Sequence, residues 1–200
     1  MPPKERFSFE KVLETAFDIL RKSGWSCVTA RAIAKALKAS TMPVYSAIGS
    51  MKRLENALKS RAYTMLADFQ TRPHTPNPIL NMAVGQVLLS RDEPHVYRFL
   101  HIDSPVPLGS AARKTFDLEI EKRLGKPLPF SAYLDPHALA RLDTISLKAW
   151  IFTHGLSMAL MNGLIRGLGE KEIITLLEEA GGAFVMWESS LKNKKARSRT

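Results

Sequence analysis

Between Thr29 and Lys52 the chain concentrates the side chains that polyanion chemistry needs. Thr29, Ser40, Thr41, Tyr45 and Ser46 supply hydroxyls, and Arg31 and Lys52 supply positive charge. Hydroxyls, cations and the unpaired N–H groups of helix N-termini all bind phosphate oxygens. Arg31 can also reach a guanine edge, and Met42 and Pro43 offer apolar contact of the kind a thymine methyl accepts. Enzymatic chemistry is less evident. Gly155-Leu156-Ser157-Met158-Ala159 echoes a hydrolase nucleophile elbow. That elbow needs a strand before it and a sharp turn at the serine, whereas Ser157 falls inside a helical stripe. Gly167-Leu168-Gly169 lacks the third glycine and the preceding strand of a dinucleotide site. His95 and His101 are too isolated to argue for a metal. The expectation is no catalytic site, no metal and no cofactor.

The elements that must position the polar cluster are helices. Phe9, Val12, Leu13, Ala16, Phe17 and Leu20 form one helical face, with Ser8 to cap it and Gly24 to end it. Thr29 can cap a short helix carrying Ile33, Ala34 and Leu37. After a turn at Lys38-Ala39-Ser40, Ser40 can cap another, held inward by Val44 and Ile48. Pro43 costs no hydrogen bond in the first turn of that helix. Thr29–Ile48 therefore has helix-turn-helix proportions, the geometry that presents one helix to a major groove. Ser50 can cap a fourth helix with Leu54, Leu58, Ala62, Met65, Leu66 and Phe69 inward. Beyond the prolines at 73, 76 and 78, helices are expected near 79–90, 95–102, 110–124 and 142–166, a short one at Pro136, and a last at 170–191. No segment alternates like a strand. The fold class is all-α, with a three-helix head (1–56), a helical body (57–191) and a basic, disordered tail (192–200).

Charge is distributed to match. The net charge is +10, with +7 in residues 1–65, −2 in 66–191 and +5 in 192–200. A basic head on a near-neutral body suits a polyanion partner for the head and another task for the body. The single cysteine, Cys27, excludes an intramolecular disulfide framework and reads as a small buried residue beside Trp25. The N-terminus leads into no apolar leader, and the longest uncharged run, 149–165, is too short and polar for a membrane span. Together these imply a cytoplasmic protein without a membrane partner.

The stretch Phe9–Leu58 resembles the head of the tetracycline-repressor (TetR) family of bacterial transcription factors. Gly24, Thr29, Ile33-Ala34, Ser40, Val44-Tyr45, Ile48, Ser50 and Leu54 stand at the family's spacing. Met51 stands where the family often has a phosphate-binding lysine, and Lys52 and Arg53 follow it. The body is similar to one subgroup of the family through Glu93-Pro94 before an aromatic-rich helix and through Trp150 with His154-Gly155. The resemblance implies a dimeric regulator that binds a near-palindromic DNA operator and is released by a small molecule.

It also implies a body cavity. Its candidate lining is Met65, Phe69, Met82, Leu89, Phe99, Phe116, Trp150, His154, Met158 and Met161, with His154 or Tyr97 as polar contacts for an apolar or aromatic effector. Two stripes on the penultimate helix suggest burial on both sides, and Gly155, Ala159 and Gly163 suit a close helix neighbour. With Phe152 and the last-helix residues Ile173, Leu177, Ala180, Phe184, Trp187 and Leu191, they form the expected homodimer seam. Two other readings fit less of the chain: a helical carrier or enzyme with a vestigial head, and an architectural DNA-binding protein without effector.

Overall fold

The computed structural model describes residues 7–105, 111–125 and 145–197, except the side chains of 111–114, 146 and 191–197. The short helix expected at Pro136 lies outside these residues, as does the Leu191 side chain. Among the described residues there is no strand. The helices are α1 (Phe9–Ser23), α2 (Ala30–Ala36), α3 (Thr41–Ile48), α4 (Met51–Gln70), α5 (Pro78–Asp92), α6 (Pro94–Arg98), α7 (Ala111–Leu124), α8 (Ile145–Met161) and α9 (Glu170–Arg197). A 3-10 turn, Trp25–Cys27, precedes α2, and a π-helical turn, Phe99–Asp103, follows α6. No helix among them is long and apolar enough to cross a membrane.

The chain divides into two compact units. The first runs to Met65 and includes Glu93–Pro105; the second holds Leu66–Asp92 and the rest of the chain. The boundary falls inside α4, nine residues beyond the expected one at position 56, and Glu93–Pro105 returns to the first unit from the middle of the body sequence.

In the first unit the caps follow the sequence. The Ser8 hydroxyl accepts from the Lys11 N–H at 3.2 Å, and Gly24, at φ +84°, closes α1. The Thr29 hydroxyl accepts from the Ala32 N–H at 3.1 Å, and the Ser50 hydroxyl from the Arg53 N–H at 3.1 Å. Val12, Ala16 and Leu20 of α1, Ile33 of α2, and Val44 and Ile48 of α3 are fully buried in one core. The turn between α2 and α3 is a Schellman closure. The Ala39 N–H donates to the Ala34 carbonyl at 2.9 Å and the Lys38 N–H to the Lys35 carbonyl at 3.1 Å. Lys38 takes the left-handed conformation there, at φ +54°, a position that favours glycine.

Glu93–Pro105 belongs to this unit through several contacts. Arg21 donates twice to the Glu93 carboxylate, one contact being 3.0 Å from Nε, and this pairing raises the arginine's pKa. Trp25 and Phe99 rings lie 5.1 Å apart, and the Ser104 hydroxyl donates to Glu55. Phe99 and Tyr97 are fully buried here. Their expected place in a body cavity is therefore corrected: the chain returns after Pro94 and spends both rings on the head's core. Cys27 is exposed, also against expectation. The Trp25 ring turns toward Phe99 and leaves the cysteine outside.

In the second unit α5 packs against α8 and α9. Asn81 ties the proline-rich loop to α5: its Oδ1 accepts from the Thr75 N–H at 2.7 Å and its Nδ2 donates to the Thr75 carbonyl at 3.0 Å. The end of α4 touches α5 at Gly85. A Cβ there would lie 2.2 Å from the Phe69 carbonyl oxygen and 2.6 Å from the Gln70 Cα. Helix α8 stops at Met161 rather than near 166. Gly163, at φ +70°, ends it, with the Leu164 N–H on the Ala159 carbonyl at 2.9 Å. Helix α9 continues past the expected end at 191 to Arg197. Lys, Ala and Arg are good helix formers, and 192–197 contain neither glycine nor proline.

Gly85→Ala should destabilise the protein by about 3 kcal/mol, because backbone atoms cannot yield to the new methyl. Lys38→Gly should stabilise it by up to about 1 kcal/mol by relieving the left-handed backbone. Urea midpoints of both variants against the parent check the two signs.

Candidate nucleic-acid interface

Helix α3 has one face in the core and one in solvent. Val44 and Ile48 are fully buried, while Met42 is 64% and Tyr45 48% exposed. Thr41 and Ser46 are exposed on the same outer side, and Pro43 is half-buried. Ser40 is the N-cap residue of α3, but its hydroxyl makes no capping bond. Thr29 is exposed at the start of α2, and its hydroxyl proton stays available after the capping bond to Ala32. The expected hydroxyls, with Met42 beside them, therefore reach solvent from the short helices α2 and α3 and their N-caps, in a unit where these helices pack on one another and on α1.

The cations sort into paired and unpaired. Lys11 pairs with Glu14 at 3.2 Å, Arg61 with Glu10 at 3.0 Å and Lys59 with Glu55 at 3.3 Å. The Arg53 guanidinium lies 4.5 Å from the Phe9 ring centroid. Lys52 reaches Glu55 at 2.9 Å, although its side chain is 70% exposed. Glu55 is held down to a pKa of about 2, first by the Ser104 hydroxyl, then by Lys52 and Lys59. Arg31, Lys35 and Lys38 are exposed, and none has an ion-pair partner among the described residues. Arg31 and Lys35 stand one turn apart on α2, and Lys38 lies just past its end. Lys35 and Lys38 were not among the expected contacts; the i, i+4 spacing of Arg31 and Lys35 was the signal for them.

The expected effector residues are divided. Met65 and Phe99 belong to the first unit; Phe69, Met82, Leu89, Phe116, Trp150, His154, Met158 and Met161 belong to the second. Phe69, Met82, Leu89 and Phe116 are buried, while Met158 and Met161 are half-buried. Trp150 and His154 stack at 5.3 Å between centroids, and burial lowers the His154 pKa.

The expected seam is likewise revised. Ile173 and Leu177 are buried within their own unit, because α9 packs its first turns against α5 and α8. Gly163 lies beyond α8 as its terminating glycine. Burial of α8 on both sides does not occur in the single chain. Thr153, Leu156 and Ser157 form its inner face, and the two hydroxyls donate to the Ala149 and Thr153 carbonyls, each at 2.8 Å. Ile151 and Phe152 stand exposed, and a Cβ on Gly155 would meet open space. Among the described side chains of α9 the exposed large apolar ones are Val185, Met186 and Trp187. Phe184 is half-buried, edge-on to Phe152 at 6.3 Å, and Ala159 and Ala180 are half-buried.

No protein-family model matches the chain, and no curated protein matches it in sequence.

Glu55 carries a pH consequence. A carboxylate whose pKa falls from 4.5 to about 2 on folding stabilises the protein above pH 4.5. That stabilisation is lost as the pH falls toward 2. Between pH 4.5 and 2.5 the parent should lose about 1 kcal/mol more stability than Glu55→Gln, solvent screening included. Urea unfolding at the two pH values measures the difference.

Proposed function

We propose that this chain is a dimeric, ligand-responsive DNA-binding transcription regulator of the TetR type, acting as a repressor. One observation carries the reading: a helix anchored on its apolar face presents Thr41, Met42, Tyr45 and Ser46 to solvent, and the neighbouring α2 carries unpaired Arg31 and Lys35. In this reading α2 and α3 form a helix-turn-helix, and α3 enters the major groove. Thr41, Tyr45, Ser46 and Met42 face base edges and phosphates, and Thr29, Arg31, Ser40 and Lys52 fix the register on the backbone. Lys35 and Lys38 extend the phosphate contact. The ten residues that stand at the spacing of the TetR head, Gly24 to Leu54, support the same assignment.

The apolar outer faces of α8 and α9 support a homodimer. In α8 two hydroxyl side chains point inward while Ile151 and Phe152 point outward, the reverse of what a solvent-facing helix needs. A second copy covers this surface, with Phe152, Gly155, Ala159, Ala180, Phe184 and Trp187 at the seam. Two heads then read two half-sites of a near-palindromic operator. An effector bound in the body favours a dimer form with lower operator affinity, and its differential affinity for the two forms sets the response.

Fluorescence anisotropy with DNA flanking the chain's own gene tests the reading. Binding should be specific for a dyad and steeply salt-dependent. Arg31→Ala and Lys35→Ala should each reduce the salt slope by about 1. An unchanged slope in both variants overturns the assigned phosphate face.

Trp187→Glu should yield folded monomers and weaken operator binding, because Trp187 is 59% exposed in the single subunit and its own fold does not need it. Sedimentation of parent and variant at micromolar concentration reads the first effect. A monomeric parent contradicts the dimer.

A further inference from the structure

We propose that α3 selects thymine, and that Met42 does so by covering the C5-methyl group in each half-site. This rests on the regulator reading above and names the base chemistry that its reading helix takes. Helix α3 has the sequence TMPVYSAI, with no arginine, lysine, asparagine, glutamine, aspartate or glutamate. Those are the side chains that mark guanine, adenine or cytosine by hydrogen bonds in the major groove. The hydroxyls of Thr41, Tyr45 and Ser46 both donate and accept, so they bond any base edge or a phosphate and discriminate little.

What α3 offers instead is apolar surface. Met42 stands 64% exposed in the first turn, and Tyr45, one turn on, is 48% exposed. Met42 lies outside the core that Val44 and Ile48 join, and its flexible thioether chain adapts to an apolar partner. Pro43 beside it is half-buried and fixes the backbone of that turn. Thymine is the ordinary base of DNA that shows an apolar group in the major groove.

Charge flanks this patch and does not occupy it. Arg31 and Lys35 stand on α2, Lys38 just past its end and Lys52 in the first turn of α4, all exposed. The first helix of a helix-turn-helix crosses the sugar–phosphate backbone. Its cations then meet phosphates, and the base edges fall to α3. A methylated cytosine carries the same C5-methyl group, and the test separates the two sources.

Fluorescence anisotropy of the full chain is measured on the DNA flanking its own gene, amplified in three forms. One carries the ordinary bases, one has uracil for thymine, and one has 5-methylcytosine for cytosine. A methyl group kept from water is worth about fourfold in affinity, so one per half-site gives about fifteenfold over a dyad. The uracil form should bind the parent that much more weakly, and the methylcytosine form should bind as the ordinary one does. Met42→Ala should bind the ordinary and uracil forms alike, both at the parent's uracil level. Met42→Leu should restore the preference for thymine. Neither substitution removes a charge, so the salt slope should not change.

Three results overturn the assignment. The first is equal binding of the ordinary and uracil forms by the parent. The second is a thymine preference that survives in Met42→Ala, which would show that the methyl acts through the shape of the duplex. The third is a gain on the methylcytosine form, which would place the methyl that is read on cytosine. Dyad-specific, salt-dependent binding that ignores the methyl leaves the regulator reading standing and removes this one. Absence of specific binding to every form removes both.

Discussion

The fold of the first unit depends on the burial of one side of α3. Val44 and Ile48 have no access to solvent, while Met42 and Tyr45 between and beside them stand in it. Burying two such side chains is worth about 3–6 kcal/mol, more than an eight-residue helix can supply from its own hydrogen bonds. The helix exists because α1 and α2 hold it. The same packing fixes which four or five side chains it shows to a partner. The left-handed Lys38 and the Schellman closure set the angle at which α3 leaves α2, so the exposed face of α3 is defined by backbone geometry as much as by its own residues.

Electrostatics follows from that arrangement. Acidic groups of the first unit are used on its flanks: Glu10 for Arg61, Glu93 for Arg21, and Glu55 for Lys52 and Lys59. None of them neutralises Arg31 or Lys35. The positive charge that the sequence concentrates in residues 1–65 is thus left uncompensated beside α3. The second unit shows a different bias. Its uncompensated feature is the apolar surface on α8 and α9. Such a surface suits a protein partner.

Much of the head was legible in the sequence because its signals are local. Ser8, Thr29 and Ser50 cap the helices they were expected to cap, and the 3-4 spacing of α1 names its buried face. Charge pattern and hydroxyl placement pointed to the outer face of α3 for the same reason. Long-range packing was not legible. Phe99 and Tyr97 read as body residues because nothing local tells that Glu93–Pro105 returns to the first unit. Gly163 looked like one step of a small-residue stripe, whereas its left-handed backbone ends the helix. Ile173 and Leu177 carry the same spacing as Phe184 and Trp187, and only the packing of α5 separates buried from exposed. Gly85 gave no periodic signal, since a glycine in an apolar helix acquires meaning only from what crosses it.

The central claim is that α3 reads DNA from a two-fold dimer, and a hydroxyl-radical footprint on the DNA flanking the chain's own gene tests it most directly. The account predicts two protected patches related by a dyad, on one face of the duplex and about 34 Å apart, both lost in Tyr45→Ala. Uniform protection that grows with DNA length, or no protection at low salt, would contradict it.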